Sequence, residues 1–493
     1  MRGFLALLLA VGIVAGCQQE RTSGTAPADA ERIHSLLSDL AAEDETVWRQ
    51  AYQQVVKIGK PAVPFLAEAL DDPGKNVRWR ATQALGEIGG PEVIPPLLVA
   101  LEDNDLSVLS AAAYHLQKCG GGNPEVVVAL KGRLHDPDPV VVYCMILGMR
   151  DCGETGYRDD DGLVDALCKH LKSADQQHRE YAILSLGIIG SRRACVPLVE
   201  LIADTKTKSN NMRSRAGRAL AEIGSDDAVP LLFELVKDDD QEKGIRIVAA
   251  KTLGNIGSHD AMPLFLELLE DEHQEGYIWL EAGKALAKFG DTSINESVLP
   301  LTKSRHKWLR RAAVVALGFP GNVSALERLI EIARDEKEDL FVREPALISL
   351  GQIGDARAVD VLGGVLLAED YSLRRAAARA LGEIKSSKAV PALLDALNDS
   401  DVRVVMEATR SLAKISDKKA APGILELFDR ENALEVGDAA IETGNLATVA
   451  YRALLELMKD EAVPTKLEYV YSRDELKAAR KAWRAVIKKS ASE

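Results

Sequence analysis

"VRWRATQALGEIGG", residues 77–90, is the stretch that decides the fold, because its apolar residues recur with the period of an α-helix. They fall on one face, at i, i+4, i+7, i+8 and i+11: Val77, Ala81, Ala84, Leu85 and Ile88. Gly86 interrupts this amphipathic helix, although glycine in a helix costs about 1 kcal/mol relative to alanine. A residue this unfavourable inside a helix needs a structural reason.

Copies of the pattern recur along the chain, mostly 30 to 37 residues apart. The clearest copies resemble LGEIG, residues 85–89. They stand at residues 186–190, 220–224, 253–257, 286–290, 350–354 and 381–385. Four positions before the leading apolar residue, alanine recurs: Ala51, Ala81, Ala112, Ala182, Ala216, Ala249, Ala282, Ala313, Ala346, Ala377 and Ala408. Seven positions before it, arginine recurs: Arg78, Arg179, Arg213, Arg246, Arg310, Arg343 and Arg374. Spacing this regular indicates an internal repeat.

Each copy follows another helical run, which often carries proline near its start and ends in a short acidic turn. Residues 61–76, 227–240 and 388–401 show this order plainly. Proline is tolerated in a first helical turn, where its missing N–H would have no partner anyway. The unit is therefore a first helix, an acidic turn, a second helix and a Gly or Ser break. Neither helix can bury its apolar stripe alone, so stacked units would share one continuous core.

Small residues in the second helix point to close packing. The recurring alanine at its centre would let neighbouring helix axes approach each other. Gly86 and its equivalents either leave the far face of the helix bare or pack against the next turn, and the sequence does not separate these two reasons.

The unit resembles the HEAT repeat, specifically the bacterial phycobilisome-lyase HEAT-like repeat. The matching features are the proline-bearing first helix, the Asp-rich turn, the "VR..A..ALG.IG" second helix and a unit of 31–33 residues. The resemblance covers residues 31–432 and implies an all-α fold, a right-handed α-solenoid of about twelve helix-turn-helix repeats. Residues 433–493 are then a degenerate repeat and a C-terminal cap, in which Trp483 lies on one side of a charged helix.

The resemblance also implies that the second helices line a concave surface. It further implies a ladder in which turn aspartates pair with second-helix arginines. In this chain Asp72, Asp239 and Asp399 would pair with arginines such as Arg78, Arg246 and Arg374, which gives those arginines a structural role. It says almost nothing about activity, because a fold does not fix a function.

The first residues have the pattern of a targeting signal. Arg2 precedes the apolar run of residues 4–14, which is shorter than the roughly 20 residues that a membrane-spanning helix needs. The run ends in VAGC, residues 14–17, which resembles the lipobox of bacterial lipoproteins. That resemblance implies cleavage before Cys17 and lipidation of its thiol and new amine. The alternatives are an ordinary signal peptide and a short buried helix.

We therefore expect a signal peptide over residues 1–16 and a flexible polar tether over residues 17–30. A lipid anchor on Cys17 would hold the protein in the cell envelope on the periplasmic side. Gln18, rather than aspartate, follows the cysteine and favours the outer membrane by analogy with enteric bacteria.

Charge and missing motifs exclude several functions. The formal net charge of −14 argues against nucleic-acid binding, because phosphate contacts need a basic surface. No GxSxG, Walker or HExxH motif occurs, and none of the eight histidines is followed by glutamate, as a HEAT-like di-iron oxygenase would require. A bilin lyase would work in the cytosol, which the lipobox contradicts. We expect no enzyme activity, no metal and no cofactor; a bilin lyase-like or oxygenase-like enzyme is the alternative.

Five cysteines besides Cys17 stand at positions 119, 144, 152, 168 and 195. An odd number in an exported protein leaves one thiol unpaired or used between chains. Cys119 occupies the position of Ile88 in its own repeat, which favours burial as a small hydrophobic residue. One native disulfide in this group is the alternative, and its pairing stays open.

The second-helix positions six and two before the leading apolar residue, and one after it, lie opposite the apolar face as an i, i+4, i+7 stripe. By the resemblance, they face the concave groove. The candidate binding residues there are Trp79, Tyr114, Arg218, Lys251, Lys284, Arg311, Arg375, Arg379 and Arg410. Val141, Met145 and Met406 fall in the same positions, and only Glu180 and Glu344 are acidic. We expect a basic and apolar surface that binds an acidic and apolar protein segment; the alternative is that these side chains only pack on neighbouring helices.

Overall fold

The computed structural model describes residues 27–119, 123–151, 155–207, 209–271, 273–429, 445–459 and 473–490. The predicted signal peptide, Cys17 and most of the predicted tether lie outside these residues, whereas residues 27–30 begin the first described helix. The chain divides into two compact units, Met1–Leu231 and Leu232–Glu493. In the described part of the chain, no helix has the length and apolar character that crossing a bilayer requires.

Every regular element of the described residues is helical, which confirms the predicted all-α class. Unit 1 contains α1 (Pro27–Leu40), α2 (Glu45–Ile58), α3 (Val63–Glu68), α4 (Lys75–Ile88), α5 (Ile94–Ala100), α6 (Leu106–Cys119), α7 (Pro124–Gly132), α8 (Pro139–Asp151), α9 (Asp161–His170), α10 (Gln176–Ile189), α11 (Cys195–Ala203) and α12 (Asn210–Ile223). The next helix, α13 (Val229–Lys237), contains the division between the units.

Unit 2 continues with α14 (Lys243–Ile256), α15 (Met262–Glu270), α16 (Gly276–Phe289), α17 (Asn295–Leu301), α18 (Lys307–Ala316), α19 (Leu326–Arg334), α20 (Leu340–Ile353), α21 (Val359–Val365), α22 (Tyr371–Ile384), α23 (Val390–Ala396), α24 (Val402–Ile415), α25 (Ala421–Glu426), α26 (Leu446–Leu457) and α27 (Arg473–Ser490). From α1 to α24, odd-numbered helices are first helices and even-numbered ones are second helices. The described residues therefore hold twelve two-helix repeats, as the periodicity predicts.

Local sequence signals fix the ends of the second helices. Aspartate caps several N-termini: the side chain of Asp44 accepts the backbone N–H of Thr46, and that of Asp370 accepts the N–H of Ser372. At the C-terminal end stands a residue in the left-handed conformation, which glycine adopts without strain. Gly354, with φ +80°, is one example. In the last two repeats Lys385 and Ser416 occupy this position with φ of 55° and 60°.

The recurring alanines form the centre of the core. All eleven are buried, and those from Ala81 to Ala408 have no exposed surface. Within each unit, a second helix packs on the first helix of its own repeat and on the second helices of adjacent repeats. An alanine side chain at the crossing lets the helix axes come close, which explains why this position tolerates so little variation in size.

The glycine of the opening stretch belongs to the same contact between neighbouring second helices. A Cβ on Gly254 would lie 2.9 Å from the Cβ of Ala285, and one on Gly351 would lie 2.7 Å from the Cα of Ala380. On Gly86 a Cβ would collide with the ring of His115 in the next repeat. Of the two reasons left open by the sequence, close packing is therefore the correct one. We call this line of contacts the seam. The expectation that the position after the leading apolar residue belongs to the exposed stripe is wrong, because Gly254 and Gly351 are buried against the next second helix.

Second-helix arginines bind the turns in two ways. In the first, Nη1 donates to two carbonyls of the preceding turn, and Nε and Nη2 form a fork around a carboxylate of the next repeat. Arg374 donates to the carbonyls of Ala368 and Glu369, and its fork holds Asp399 at 2.7 and 3.0 Å. Arg310 holds Glu338 in the same manner at 3.0 and 2.7 Å.

The predicted ladder is thus correct for the pair Arg374–Asp399 and wrong in detail for Asp72. Arg78 donates to the backbone carbonyl of Asp72, whereas its fork holds the carboxylate of Asp103. The carboxylate of Asp72 caps its own turn at the N–H of Gly74. The paired acid stands 25 residues after its arginine, and 25 residues before Asp72 the chain has Val47, so no arginine is placed to hold this carboxylate. Arg246 shows the second way of binding, in which Nε donates to a carbonyl of the preceding first helix. Its Nε donates to the carbonyl of Val236, and its Nη2 lies 3.0 Å from Asp239.

The C-terminal helix α27 contacts α25 and α26. Its Trp483 is 1% exposed and meets the ring of Tyr451 edge-on, with 6.0 Å between the ring centroids. This burial shows that α27 packs on its neighbours, and the assignment of residues 433–493 as a degenerate repeat and cap stays a prediction.

Cys119, Cys144, Cys168 and Cys195 are free thiols, and Cys152 lies outside the described residues. Burial raises the pKa of the Cys168 thiol to about 11 and raises the pKa of the Cys195 thiol as well. Both are therefore protonated near neutral pH and unreactive.

Candidate functional site

The candidate binding residues lie on one side of the second helices. We call this the second-helix face and define it by the residues six and two positions before the leading apolar residue. Helix geometry places these two positions four residues apart and therefore next to each other. The two units are described separately.

In unit 1 the residues of the second-helix face differ in their exposure to solvent. Tyr114 is 49% exposed, with Nζ of Lys118 lying 4.6 Å from its ring centroid. Arg218 is exposed and makes no ion pair with any described residue. Trp79 is half-buried.

Two positions of α8 depart from the expectation of an exposed face. Val141 is 5% exposed and Met145 has no exposed surface, so neither can contact a partner. In unit 2, Met406 is likewise buried at 4% exposure. At these three positions the structure supports the alternative, in which the side chains only pack against neighbouring helices.

In unit 2 three cations of the second-helix face are unpaired. Lys251 on α14 and Arg375 and Arg379 on α22 are all exposed. None of the three makes an ion pair or a side-chain hydrogen bond with another described residue. Such a charge on a chain of net charge −14 is available to an external anion.

The other three predicted cations of unit 2 are already engaged. Lys284 donates to Glu281 Oε1 at 2.7 Å, and Arg410 lies 3.4 Å from Glu407 Oε2. Arg311 is half-buried: its guanidinium lies 4.2 Å from the ring centroid of Phe341, and its Nη1 donates to the carbonyl of that residue at 2.7 Å. Burial lowers the pKa of Arg311, as expected for a guanidinium that is partly removed from water.

Three aromatic side chains extend the second-helix face toward the N-terminal ends of α16, α18 and α20. Tyr277 and Trp308 have ring centroids 4.8 Å apart, and those of Trp308 and Phe341 are 4.5 Å apart. Tyr277 is 49% exposed, and the other two are partly exposed. We call these three residues the aromatic row. Gly276 makes room for it, because a Cβ there would overlap the Trp308 ring.

Sequence reasoning missed the aromatic row because it began the face six positions before the leading apolar residue. The row stands nine positions before it, which is i, i+3 and i+7 with the two positions already considered. The signal was present: aromatic residues make up only 5% of the chain, yet three occupy one repeat position in succession. Lysines flank the row, each paired with an acid: Lys243 with Glu275 at 2.6 Å, and Lys307 with Asp339 at 3.1 Å.

The chemistry available on this face is recognition. Exposed aromatic rings and unpaired guanidinium groups are the side chains that most often anchor protein contacts. In the part of the chain that the structure describes, no group of three or more His, Cys, Asp or Glu side chains is placed to hold a metal ion.

Two curated relatives come from the cyanobacterium Synechococcus elongatus. The chain is 24% identical to Phycocyanobilin lyase subunit alpha over 229 residues, which are 36% of this chain and 82% of the relative. It is 38% identical to Phycobilisome maturation protein over 85 residues, which are 17% of this chain and 41% of the relative.

The first relative overturns the expectation that the chain is not an enzyme, because that relative is a lyase subunit. The expectation rested on motifs that mark hydrolases, metalloenzymes and nucleotide-binding enzymes. A lyase subunit built from HEAT-like repeats need carry none of them, so their absence had no weight against this class.

Among solved structures, the chain is similar to the Kap95:Nup1 complex, with a TM-score of 0.52 and 16% identity. The match covers 87% of this chain and 67% of that one. At this level of identity the similarity shows a shared α-solenoid fold and nothing of function.

The family model of HEAT repeats matches residues 63–147, 206–279, 272–341 and 365–443, which together are more than half of the chain. These ranges contain the seam glycines Gly86, Gly254 and Gly382 and the unpaired cations Arg375 and Arg379. The repeats read from the sequence, the helices of the structure and the family match agree, and the chain belongs to the HEAT-repeat family.

Proposed function

We propose that this HEAT-repeat protein is a binding scaffold whose second-helix face in unit 2 holds an extended protein segment that is both acidic and apolar. The observation that carries the proposal is the combination of Lys251, Arg375 and Arg379, exposed and unpaired among the described residues, with the exposed aromatic row.

The charge distribution supports an acidic partner. Many cations elsewhere in the described chain already face a carboxylate, as Lys237 faces Glu267 at 2.6 Å and Lys414 faces Glu383 at 2.6 Å. An unpaired cation gives up less when it binds a ligand, because no internal ion pair must first be broken. Complementary charge also speeds association and disfavours basic competitors.

The spacing of the helices suggests the length of the bound segment. Adjacent packed helices are about 8–10 Å apart, and α14, which carries Lys251, and α22, which carries the two arginines, are four repeats apart. An extended chain advances about 3.3 Å per residue, so roughly ten to twelve residues would span this distance. The acidic residues of the segment would lie near its ends and its apolar residues on the aromatic row.

The test uses a fluorescently labelled random copolymer of glutamate and tyrosine, with polyglutamate and polylysine for comparison. Fluorescence anisotropy should show tighter binding of the copolymer than of polyglutamate. Polylysine should bind the acidic surface of this chain of net charge −14, and reversal of the face cations should not weaken that binding. The variant K251E/R375E/R379E should bind about tenfold more weakly or worse, since each reversal places like charges together.

The matched control reverses three exposed cations of unit 2 outside the second-helix face, as K303E/R334E/K388E. It has the same change of net charge, so a purely long-range electrostatic effect would weaken both variants equally. Equal binding by the face variant, the control variant and the unmodified protein would refute the proposal.

The proposal includes an envelope location, supported by the apolar run of residues 4–14 and the VAGC segment that ends at Cys17. A lipid on Cys17 and a polar tether would hold the repeats at the membrane surface. Metabolic labelling with a fatty-acid analogue and membrane fractionation test this: Cys17→Ser should lose both label and membrane association. Retention of both by C17S would contradict the anchor.

A second candidate follows from the likeness to Phycocyanobilin lyase subunit alpha. In it, this chain acts as a subunit of a lyase that handles phycocyanobilin. Incubation of the purified chain with phycocyanobilin would then change the visible absorption spectrum of the pigment. A spectrum identical to that of free pigment, at protein in excess, would count against this candidate and leave the scaffold proposal standing.

A further inference from the structure

Four second-helix arginines bind the carbonyls of the preceding turn in the same way, but one of them has an empty fork. Arg78, Arg310 and Arg374 each hold a carboxylate between Nε and Nη2. Arg179 on α10 also donates its Nη1 to two turn carbonyls, those of Ser173 and Ala174. Its Nε is buried without a hydrogen-bond partner, and its Nη2 has none among the described residues.

The carboxylate at the equivalent position of this repeat forms a hydrogen bond within its own turn instead of pairing with the arginine. In two of the other repeats the acid stands 25 residues after the arginine, as Asp103 after Arg78 and Asp399 after Arg374. The same count from Arg179 leads to Asp204.

Asp204 makes the usual turn contact but not the usual ion pair. Its Oδ1 accepts the N–H of Lys206 at 2.9 Å, just as Asp399 Oδ1 accepts the N–H of Asp401 at 2.7 Å. Its Oδ2 accepts the hydroxyl of Thr207 at 2.9 Å, whereas Asp399 offers Oδ2 to arginine. The turn that follows α11 thus supplies a hydroxyl, that of Thr207, that binds the carboxylate oxygen which in Asp399 faces arginine.

An open pocket of about 700 Å³ lies at this place, within unit 1. Leu171, Pro197, Leu201 and Met212 form its apolar lining, and its cations are Arg179, Lys172 and Lys206. Its two acids are engaged: Glu200 lies 3.4 Å from Lys172, and Asp204 is bound as just described. The lining therefore combines a small excess of positive charge with an apolar surface.

We propose that this pocket binds an organic carboxylate that carries an apolar group, with the carboxylate in the fork of Arg179. A planar guanidinium donates two parallel hydrogen bonds to a carboxylate, and the three equivalent arginines of this chain do so. A buried N–H without an acceptor is unfavourable, so the empty fork favours any ligand that supplies one. The apolar group of the ligand would lie on the partly exposed Pro197, because Leu171, Leu201 and Met212 expose only 3%, 7% and 2% of their surface.

The experiment titrates the full chain with sodium hexanoate and follows binding by saturation-transfer NMR at constant ionic strength. Acetate should bind more weakly than hexanoate, because it lacks the apolar chain, and hexylamine should not bind. Arg179→Gln should lower the affinity for hexanoate about tenfold or more, since it removes a charge-assisted bidentate pair. Arg179→Lys should also bind weakly: it keeps a cation near the turn carbonyls but has no fork.

Two further variants separate the pocket from a general effect on the repeats. Arg374→Gln removes an arginine whose fork is already filled, so it should leave hexanoate binding unchanged. Thr207→Ala frees Oδ2 of Asp204 to enter the fork of Arg179 and should weaken hexanoate binding.

Hexanoate binding that is equal in the unmodified chain, R179K and R179Q would overturn the proposal, and so would inorganic phosphate binding as tightly as hexanoate. Unchanged binding by T207A would contradict the explanation of why the fork is open. None of these outcomes bears on the second-helix face, which is tested with other residues and another probe.

Discussion

The seam and the second-helix face lie on the same helices but differ in how freely their residues vary. At the seam most positions hold Gly, Ala or Ser, because a neighbouring second helix lies within contact distance, and His115 opposite Gly86 is an exception. On the second-helix face, the position six before the leading apolar residue changes in unit 2 from Ile247 to Leu280 to Arg311 to Glu344 to Arg375. Packing therefore dictates the residues of the seam and leaves those of the face free to vary.

The largest expected effect comes from filling the seam. Gly351→Ala places a Cβ 2.7 Å from the Cα of Ala380, and backbone cannot move aside as a side chain can. We expect a loss of about 2–3 kcal/mol in the free energy of unfolding, measured by urea denaturation followed by circular dichroism.

The control is Gly364→Ala, a helical glycine of α21 with no atom within 4 Å of the added Cβ. Here the change should raise the free energy of unfolding by up to about 1 kcal/mol, because alanine is the better helix former. Equal effects of the two substitutions would show that helix propensity, and not packing at the seam, governs these glycines.

The next largest loss of stability is expected from removing a second-helix arginine that holds a carboxylate of the next repeat. Arg374→Gln should cost about 1–2 kcal/mol, since the side chains of Arg374 and Asp399 are only 13% and 8% exposed and form two charge-assisted hydrogen bonds. Arg379→Gln, on the exposed face one helical turn away, is the control and should stay within about 0.5 kcal/mol of the unmodified chain.

The ion pair between Arg374 and Asp399 also predicts that the free energy of unfolding depends on pH. Burial raises the pKa of Asp399, but hydrogen bonds from Arg374 and the N–H of Asp401 outweigh it and hold that pKa below its ordinary value. The stabilisation is therefore complete above the ordinary aspartate pKa of about 3.9 and is lost as pH falls through the lower folded-state value. The stability difference between the unmodified chain and R374Q should shrink from pH 7 toward pH 3; a constant difference would exclude ionic pairing.

A smaller effect, of opposite sign, is expected where a helix end lacks glycine. Lys385 adopts φ 55° at the position that Gly354 occupies in the preceding repeat. Lys385→Gly should raise the free energy of unfolding by about 0.5–1 kcal/mol, because a side chain is strained in this conformation. Lys388→Gly, three residues on in a 3-10 turn, should lower it instead.

The smallest effect on stability is expected on the second-helix face. The double variant R375Q/R379Q should unfold within about 0.5 kcal/mol of the unmodified chain, because neither side chain has a partner among the described residues. Thermal unfolding measures this. A large loss of stability would mean that these arginines stabilise the repeats, which would contradict their proposed role in binding.

The sequence predicts the regular part of the molecule well, because periodicity reports packing. Ala249 is placed on the core side by spacing alone and lies there. For Gly254 the spacing left two reasons open, and only the structure shows the close contact with Ala285. The sequence fails where the outcome depends on competition between nearby donors. The hydroxyl of Thr207 binds the second carboxylate oxygen of Asp204, and the repeat pattern gives no sign of this contact.

The candidate site is predicted only in part for a related reason. Spacing locates the exposed positions but not the contacts made by long side chains. It therefore treats Arg311, which stacks on Phe341, and Lys251, which is unpaired among the described residues, as equivalent. To predict the aromatic row, one must also know that the residue nine positions before the leading apolar residue shares a face with the residue six before it. One must also know that Gly276 leaves space for the ring of Trp308.

The most direct test of the account is the intrinsic fluorescence of Trp308 during titration with the glutamate–tyrosine copolymer. We expect the tryptophan emission of the unmodified chain to change with the same dissociation constant that anisotropy reports, and Trp308→Phe to abolish most of that change while keeping the fold. A change in emission that persists in full in W308F would place the partner elsewhere and contradict the central claim.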